Sequence, residues 1–488
     1  MAADPHRWWS LVVIAVAQLM VVLDSTIVNI ALPSAQDELG MSDGDRQWVI
    51  TAYTLAFGGL LLLGGRIADL LGRKRVFVTG LIGFATASAL GGAAVSPGML
   101  FGARALQGAF AAVLAPSALS LLATAFTDPR ERGKAFGIFG ALAGSGSALG
   151  FIAGGLLTEY LDWRWCLYVN TPIAIVAVCG AFAVLRDRPG RAGARLDVPG
   201  ALLGCGGLVA LVYGFSEAES RGWADGFVLG LLTAGAALLA VFVWWQARTP
   251  EPLLPLHIVR DRDRAGSYLT MMLAIMGMFG LFLFMTYYFQ VVLGYSPAWT
   301  GLAFVPLTAA TVTGSLQIAG RLLQHVPPRT LMAPGMFLAA CGMVMLTRLT
   351  VDSAYLTDIL PGLLLIGLGM GLTYMPVFAT VTAGVAPRDS GVTSATLNTS
   401  QQVGGSVGTA LLNTVATTST AGYLTAHLTD PAARAEVTRE AVVHGYTVAL
   451  WCAAGLMLLA ALVTSLLVTA RAPKHGTAGR APVAESVG

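Results

Sequence analysis

The chain has 488 residues, of which 56% are apolar and only 11% charged, and its mean hydropathy is +0.71. A soluble domain carries about 25% charge, so the composition excludes a globular enzyme on a single anchor and predicts an all-α polytopic membrane protein. The net charge of +3 carries no nucleic-acid signal, the five cysteines fall at unrelated spacings inside apolar runs, and the six histidines form no metal-binding pair.

Apolar runs fall at 11–33, 47–64, 76–95, 99–126, 135–157, 165–185, 198–215, 226–247, 267–291, 299–319, 331–347, 359–381, 391–416 and 443–469. Each is long enough to cross a hydrocarbon core of about 30 Å as a helix, which predicts fourteen spans. An even number puts both termini on one side. With that side inside, lysine and arginine favour the inner segments roughly fourfold, so both termini are expected in the cytoplasm. The Ala/Gly-rich composition suits a high-GC bacterium, and the expected location is a bacterial cytoplasmic (inner) membrane.

The first run, LMVVLDSTIVNIALP, carries Asp24 well inside a span that is expected to end near Pro33. An ionised carboxylate there costs at least a few kcal/mol. It survives by pairing, by facing a wet cavity or by binding a proton. A helix-packing hydrogen bond is the bland reading; a proton-titrating site is the functional one. After the second run comes GRIADLLGRKR (65–75), where Gly65 and Gly72 permit a tight turn and Asp69 can pair with Arg66 or Arg73. In the fourth run Arg104 lies at nearly the depth of Asp24, the two differing by little more than one long side chain, and its bland reading is an arginine snorkelling to the outer headgroups. The fifth run has Gly146, Gly150 and Gly154 on one small-residue row.

Weak internal repeats follow. GRIADLLGRKR is echoed by GRLLQHVPPR (320–329), Pro116 by Pro376, and GSALG (146–150) by GGSVG (404–408), all at nearly one offset. This predicts two six-helix bundles, 1–190 and 251–470, around two inserted spans (191–250), with a disordered cytoplasmic tail at 471–488. The longest loop, 417–442, is expected to hold at most a short amphipathic turn. The ninth run's Met271, Met278 and Met285 seam reads as packing or as an adaptable ligand surface. The thirteenth run is the most polar, and Asn398, Gln401 and Gln402, with Asn29 and Gln107, are expected to line a substrate cavity. No GxxxxGK[ST] loop is present, so ATP is not the expected energy source, and no cofactor or metal is expected.

GRIADLLGRKR resembles the cytoplasmic-loop signature of the major facilitator superfamily. LDSTIVNIALP (23–33), RALQGAFAAVLAP (104–116) and DWRWCLYVNTP (162–172) resemble motifs of its fourteen-span drug:proton antiporters. The resemblance implies the major facilitator fold, proton coupling at Asp24 and Arg104, and a conformational switch at Gly65, Arg66, Asp69, Gly72 and Arg73. It also implies that the fifth-span glycine row packs the two halves together on the outer side, although the usual Gly-Pro step reads Gly150-Phe151. The expected protein is a monomeric, proton-driven exporter of amphipathic small molecules, not an enzyme. Proton-coupled nutrient uptake and a membrane-embedded transferase are the rival readings.

Overall fold

A computed structural model describes residues 6–126, 129–186, 197–250, 252–323, 325–385, 390–427 and 434–470. Fourteen long helices occupy the fourteen expected spans. They are α1 (Arg7–Leu39), α2 (Asp43–Leu71), α3 (Arg73–Gly92), α4 (Pro97–Ala125), α5 (Pro129–Tyr160), α6 (Trp165–Val184) and α7 (Val198–Arg221). The series continues with α8 (Gly226–Gln246), α9 (Arg262–Val292), α10 (Pro297–Leu322), α11 (Arg329–Leu346), α12 (Tyr355–Thr382), α13 (Ser390–His427) and α14 (Arg434–Leu467). Among the described residues, eleven of these helices are long and apolar enough to cross a membrane on composition alone. Of the other three, α13 is the most polar, with Ser, Thr, Asn, Gln and Gly along its whole length.

Local chemistry sets the turns. Gly40 sits at φ 63° and sends its N–H back to the Gln36 carbonyl, a left-handed stop for α1. Ser42 and Asp45 then form a capping box that starts α2. At the other end of α2, Gly72 takes φ 96° and ψ 130°, a conformation that a Cβ would strain. These two turns mark the opposite faces of the bundle, the Gly40 face and the Gly72 face.

The helices pack in a repeated pattern. α1 lies against α4, α5 and α6, α2 against α4, and α3 against α4 and α6. α9 lies against α12, α13 and α14, α10 against α12, and α11 against α12 and α14: the same pairings, eight helices along. One large apolar core gathers Phe77, Phe84 and Leu114 with α1 and α2, and another gathers Phe284, Met336 and Met370. α7 packs on α8 and also touches both α2 and α13. Asp197 fixes the start of α7 by accepting from Gly200 N, Trp245 Nε1 and Gln246 Nε2, each at 2.9 Å.

At the Gly40 face α5 and α10 meet backbone to backbone. A Cβ on Gly301 would lie 2.2 Å from the Phe151 carbonyl oxygen, and one on Gly155 2.5 Å from that of Pro297. Phe151 is fully buried there, 4.6 Å from the Phe304 ring and 5.1 Å from that of Phe282. Each such ring pair adds about 0.5–1.5 kcal/mol beyond its area. The Tyr287 hydroxyl donates to Gln36 Oε1 at 2.9 Å, Arg46 sits 4.2 Å over the Tyr287 ring, and Ala298 N donates to Glu159 Oε2 at 2.9 Å.

Three expectations change. α1 does not end near Pro33; the proline is interior and the helix runs on to Leu39, giving up the bond that Pro33 cannot donate. Most of 417–442 is helix, because α13 extends to His427 and α14 begins at Arg434; outside the apolar runs the backbone still satisfies its own polar groups helically. The glycine row of α5 does not join the halves: Gly146, Gly150 and Gly154 lie against Val22, Thr26 and Ile27 of α1, and it is Phe151 and Gly155, on the neighbouring face, that meet α10. Met271, Met278 and Met285 are buried among other apolar side chains, so that seam is packing. The tail at 471–488 lies outside the described residues.

Candidate functional site

Asp24 sits near the middle of α1 with no solvent exposure. Several kcal/mol of desolvation accompany a charge at such a place, and the surroundings offset this with an unusual density of donors. Arg104 and Gln107 are three residues apart on α4, hence on one face of it, and that face is turned to α1. Arg104 Nη1 donates to Asp24 Oδ2 at 2.6 Å, a buried ion pair, and Gln107 Nε2 donates to Asp24 Oδ1 at 2.7 Å. Asn170 Nδ2 donates to the same Oδ1 at 2.7 Å. Hydrogen bonds to a charged group contribute about 1.5–3 kcal/mol each, so the three together hold the carboxylate in place.

Arg104 is held in turn. It donates from Nη1 to Gln107 Oε1 at 2.7 Å and from Nε to the Val49 carbonyl at 3.2 Å, and its guanidinium lies 4.4 Å over the Tyr53 ring. Ser88 of α3 receives Asn170 Nδ2 at 2.9 Å and Gln107 Nε2 at 3.2 Å and donates to the Leu167 carbonyl at 2.8 Å. Helix α6 supplies Asn170 through a break: a short turn, Trp165–Tyr168, stops before Val169 and the helix restarts at Asn170, with Pro172 in its first turn. Toward the Gly40 face the cluster is closed by Leu32, Leu100, Trp163 and Leu167, around a void of about 10 Å³ against Arg104, near the size of one water.

The structure therefore brings Asp24, Arg104 and Gln107 into one buried network. Gln107 belongs to this cluster and not to an open wall. Asn29 is buried on α1 and donates to the Ser25 carbonyl of its own helix. Asn398, Gln401 and Gln402 are half-buried on α13 and make no bond to the cluster; Gln402 packs against Gly58 of α2. At the Gly72 face Gly65 faces Pro116, Arg66 and Arg73 are half-buried, and the Asp69 side chain lies outside the described residues. Lys74 donates to the Leu185 carbonyl at 2.5 Å, tying the start of α3 to the end of α6. Ser88, Tyr53 and Asn170 were not expected at the site. A serine in a Gly/Ala-rich span reads as a packing residue, and Asn170 entered only as part of a motif. No group of His, Cys, Asp and Glu fit to hold a metal occurs among the described residues.

Comparison with known proteins agrees with this architecture. The sequence is 57% identical to the puromycin resistance protein pur8 of Streptomyces alboniger over 98% of this chain and 95% of that one. It is 42% identical to the cephamycin export protein CmcT of Amycolatopsis lactamdurans, covering 85% of this chain and 86% of that one. A bacterial homolog of the human lysosomal transporter Spinster, solved inward-facing and unoccupied, superposes with a TM-score of 0.65 at 15% identity over 97% of this chain and all of that one. That likeness speaks to the fold. Residues 14–409 match the sequence profile of the Major Facilitator Superfamily, and the chain belongs to that family as a multi-pass membrane protein.

Proposed function

We propose that the protein is a proton-driven exporter of amphipathic antibiotics in a bacterial cytoplasmic membrane, acting as a monomer with both termini in the cytoplasm. The names of its relatives, a puromycin resistance protein and a cephamycin export protein, support export of such compounds. The observation that carries proton coupling is the Asp24–Arg104 ion pair, buried in the middle of a bundle with no solvent contact. A structural ion pair of this kind is often no better than an apolar pair of similar size, whereas an acid inside a transporter marks a proton path.

In this reading residues 1–190 and 251–470 are two halves that rock about the site, with 191–250 inserted between them; the packing repeated eight helices along supports the division. The Gly40 face is external and closed. A proton arriving when that face opens neutralises Asp24, weakens its hold on Arg104 and favours release of substrate outward. Loss of the proton to the cytoplasm restores the pair. Gly65, Arg66, Asp69, Gly72 and Arg73 form the switch on the cytoplasmic face. Asn29, Asn398, Gln401 and Gln402 offer polar contacts to substrate, with Gln107 joining them when the pair opens. The test is Asp24→Asn in reconstituted vesicles with puromycin as the first compound. Gradient-driven export should vanish while insertion and folding persist. Full gradient-driven export by the variant refutes coupling at Asp24.

A further inference from the structure

The carboxylate of Asp24 is met by donors alone; Arg104 sets the sense of the Gln107 amide by donating to its Oε1, and one hydroxyl sets that of Asn170. Ser88 has a single hydrogen, and the Leu167 carbonyl takes it at 2.8 Å. Toward Asn170 and Gln107, at 2.9 and 3.2 Å, Ser88 Oγ is then an acceptor only. Each amide must turn its NH₂ to Ser88, and the same nitrogen thereby lies 2.7 Å from Asp24 Oδ1. Asn170 gives something up for this. Its Oδ1 is buried without a hydrogen-bond partner, which costs about 1–3 kcal/mol. A side chain recruited only to pack has no need of that orientation.

We propose that Ser88 and Asn170 are positioning residues that set how tightly Asp24 holds a proton: Ser88 fixes the sense of the Asn170 amide, and Asn170 contributes an N–H that favours the carboxylate over the acid. The proposal rests on the proton-coupling reading above. The charged or titratable groups that face Asp24 are Arg104 from α4, Tyr53 from α2 beyond the Arg104 guanidinium, and Cys166 from α6. None of them supplies the proton. The step takes one proton from the external aqueous phase, forms an O–H bond at a carboxylate oxygen and changes the charge of Asp24 from −1 to 0. Arg104 stays charged and keeps Gln107 Oε1 and the Val49 carbonyl as acceptors.

The experiment follows Asp24 directly. The full-length protein in lipid is titrated by infrared difference spectroscopy from about pH 4 to about pH 10, and the carboxyl band that Asp24→Asn abolishes is assigned to Asp24. In Asn170→Leu the carboxylate loses one charge-assisted donor, so the midpoint of that band should rise by about one pH unit, a tenfold change in proton binding. Ser88→Ala should move it in the same direction by less, and Ser88→Thr, which keeps the hydroxyl, should return it toward wild type. The pH profile of puromycin export in vesicles should shift in parallel. If Asn170→Leu does not insert, Ser88→Ala and Ser88→Thr carry the test. A midpoint that stays at the wild-type value in every inserted variant overturns the proposal and leaves coupling at Asp24 standing. If no Asp24-dependent band titrates in the wild type, the coupling reading falls and the proposal with it.

Discussion

Gly301→Ala is the smallest change that should alter the balance between states without touching the ion pair. The new methyl would lie 2.2 Å from the Phe151 carbonyl oxygen and 2.8 Å from its carbon, against 3.4 Å for an ordinary contact, a shortfall of about 1.2 Å. The obstacle is the backbone of α5, so no rotamer change relieves it. α5 and α10 have to part by roughly that distance, and the packing of Phe151 on Phe282 and Phe304 loosens with them. Overpacking of this kind costs about 1–3 kcal/mol. The cost falls only on states in which α5 and α10 touch at the Gly40 face; a state open there escapes it. The open state should therefore gain about 5- to 150-fold relative to the closed one. Spin labels at Val95→Cys and Asp352→Cys, exposed positions on that face in the two halves, report the separation by pulsed dipolar spectroscopy once the exposed Cys179 and Cys452 are replaced. Gly102→Ala, whose methyl meets nothing within 4 Å, is the control. A folded, inserted Gly301→Ala protein with the wild-type distance distribution would refute the idea that this glycine contact holds the face shut.

Two further outcomes are expected. Gly72→Val places a β-branched residue at φ 96°, a strain of about 1–3 kcal/mol; exchange flux should slow while equilibrium substrate binding holds, and the opposite pattern removes this loop from the switch. Deleting α7 and α8 by joining Arg195 to Arg248 through a short flexible linker should lower thermal stability, because α7 rests on α2 and α13. Residual Asp24-dependent flux should remain, and an inserted deletion protein that binds substrate without flux would make the two helices part of the cycle.

Much of the candidate site was legible because charge is conspicuous in an apolar run. Asp24 and Arg104 stood out for that reason, and helix rise alone put them at similar depth. Gln107 was expected on a cavity wall, since a neutral amide in a span serves a wall or a charge cluster alike and only the turn of α4 toward α1 decides between them. Ser88 did not stand out, since a hydroxyl among Gly and Ala costs little in a span and carries no periodic signal. Tyr53 was equally silent: its part is to lie under a guanidinium, which depends on how α2 crosses α4. The span count was legible from hydropathy, but helix ends were not. Pro33 looked like a stop, yet Gly40, with its left-handed backbone, is where α1 turns. The fifth-span glycines announced close packing without saying onto what, because a row of small residues is equally suited to any neighbour. Gly146, Gly150 and Gly154 chose α1, and the one large residue beside the row, Phe151, reaches α10.

The position of α7 gives the molecule a front and a back in the plane of the membrane. On one side the line where the halves meet, between α2 and α13, is backed by α7, with the largely lipid-facing α8 outside it. On the other side α5 and α10 touch directly, and among the described residues no helix lies across them. The bundle thus presents the bilayer with a double wall at the back and a single unscreened joint at the front.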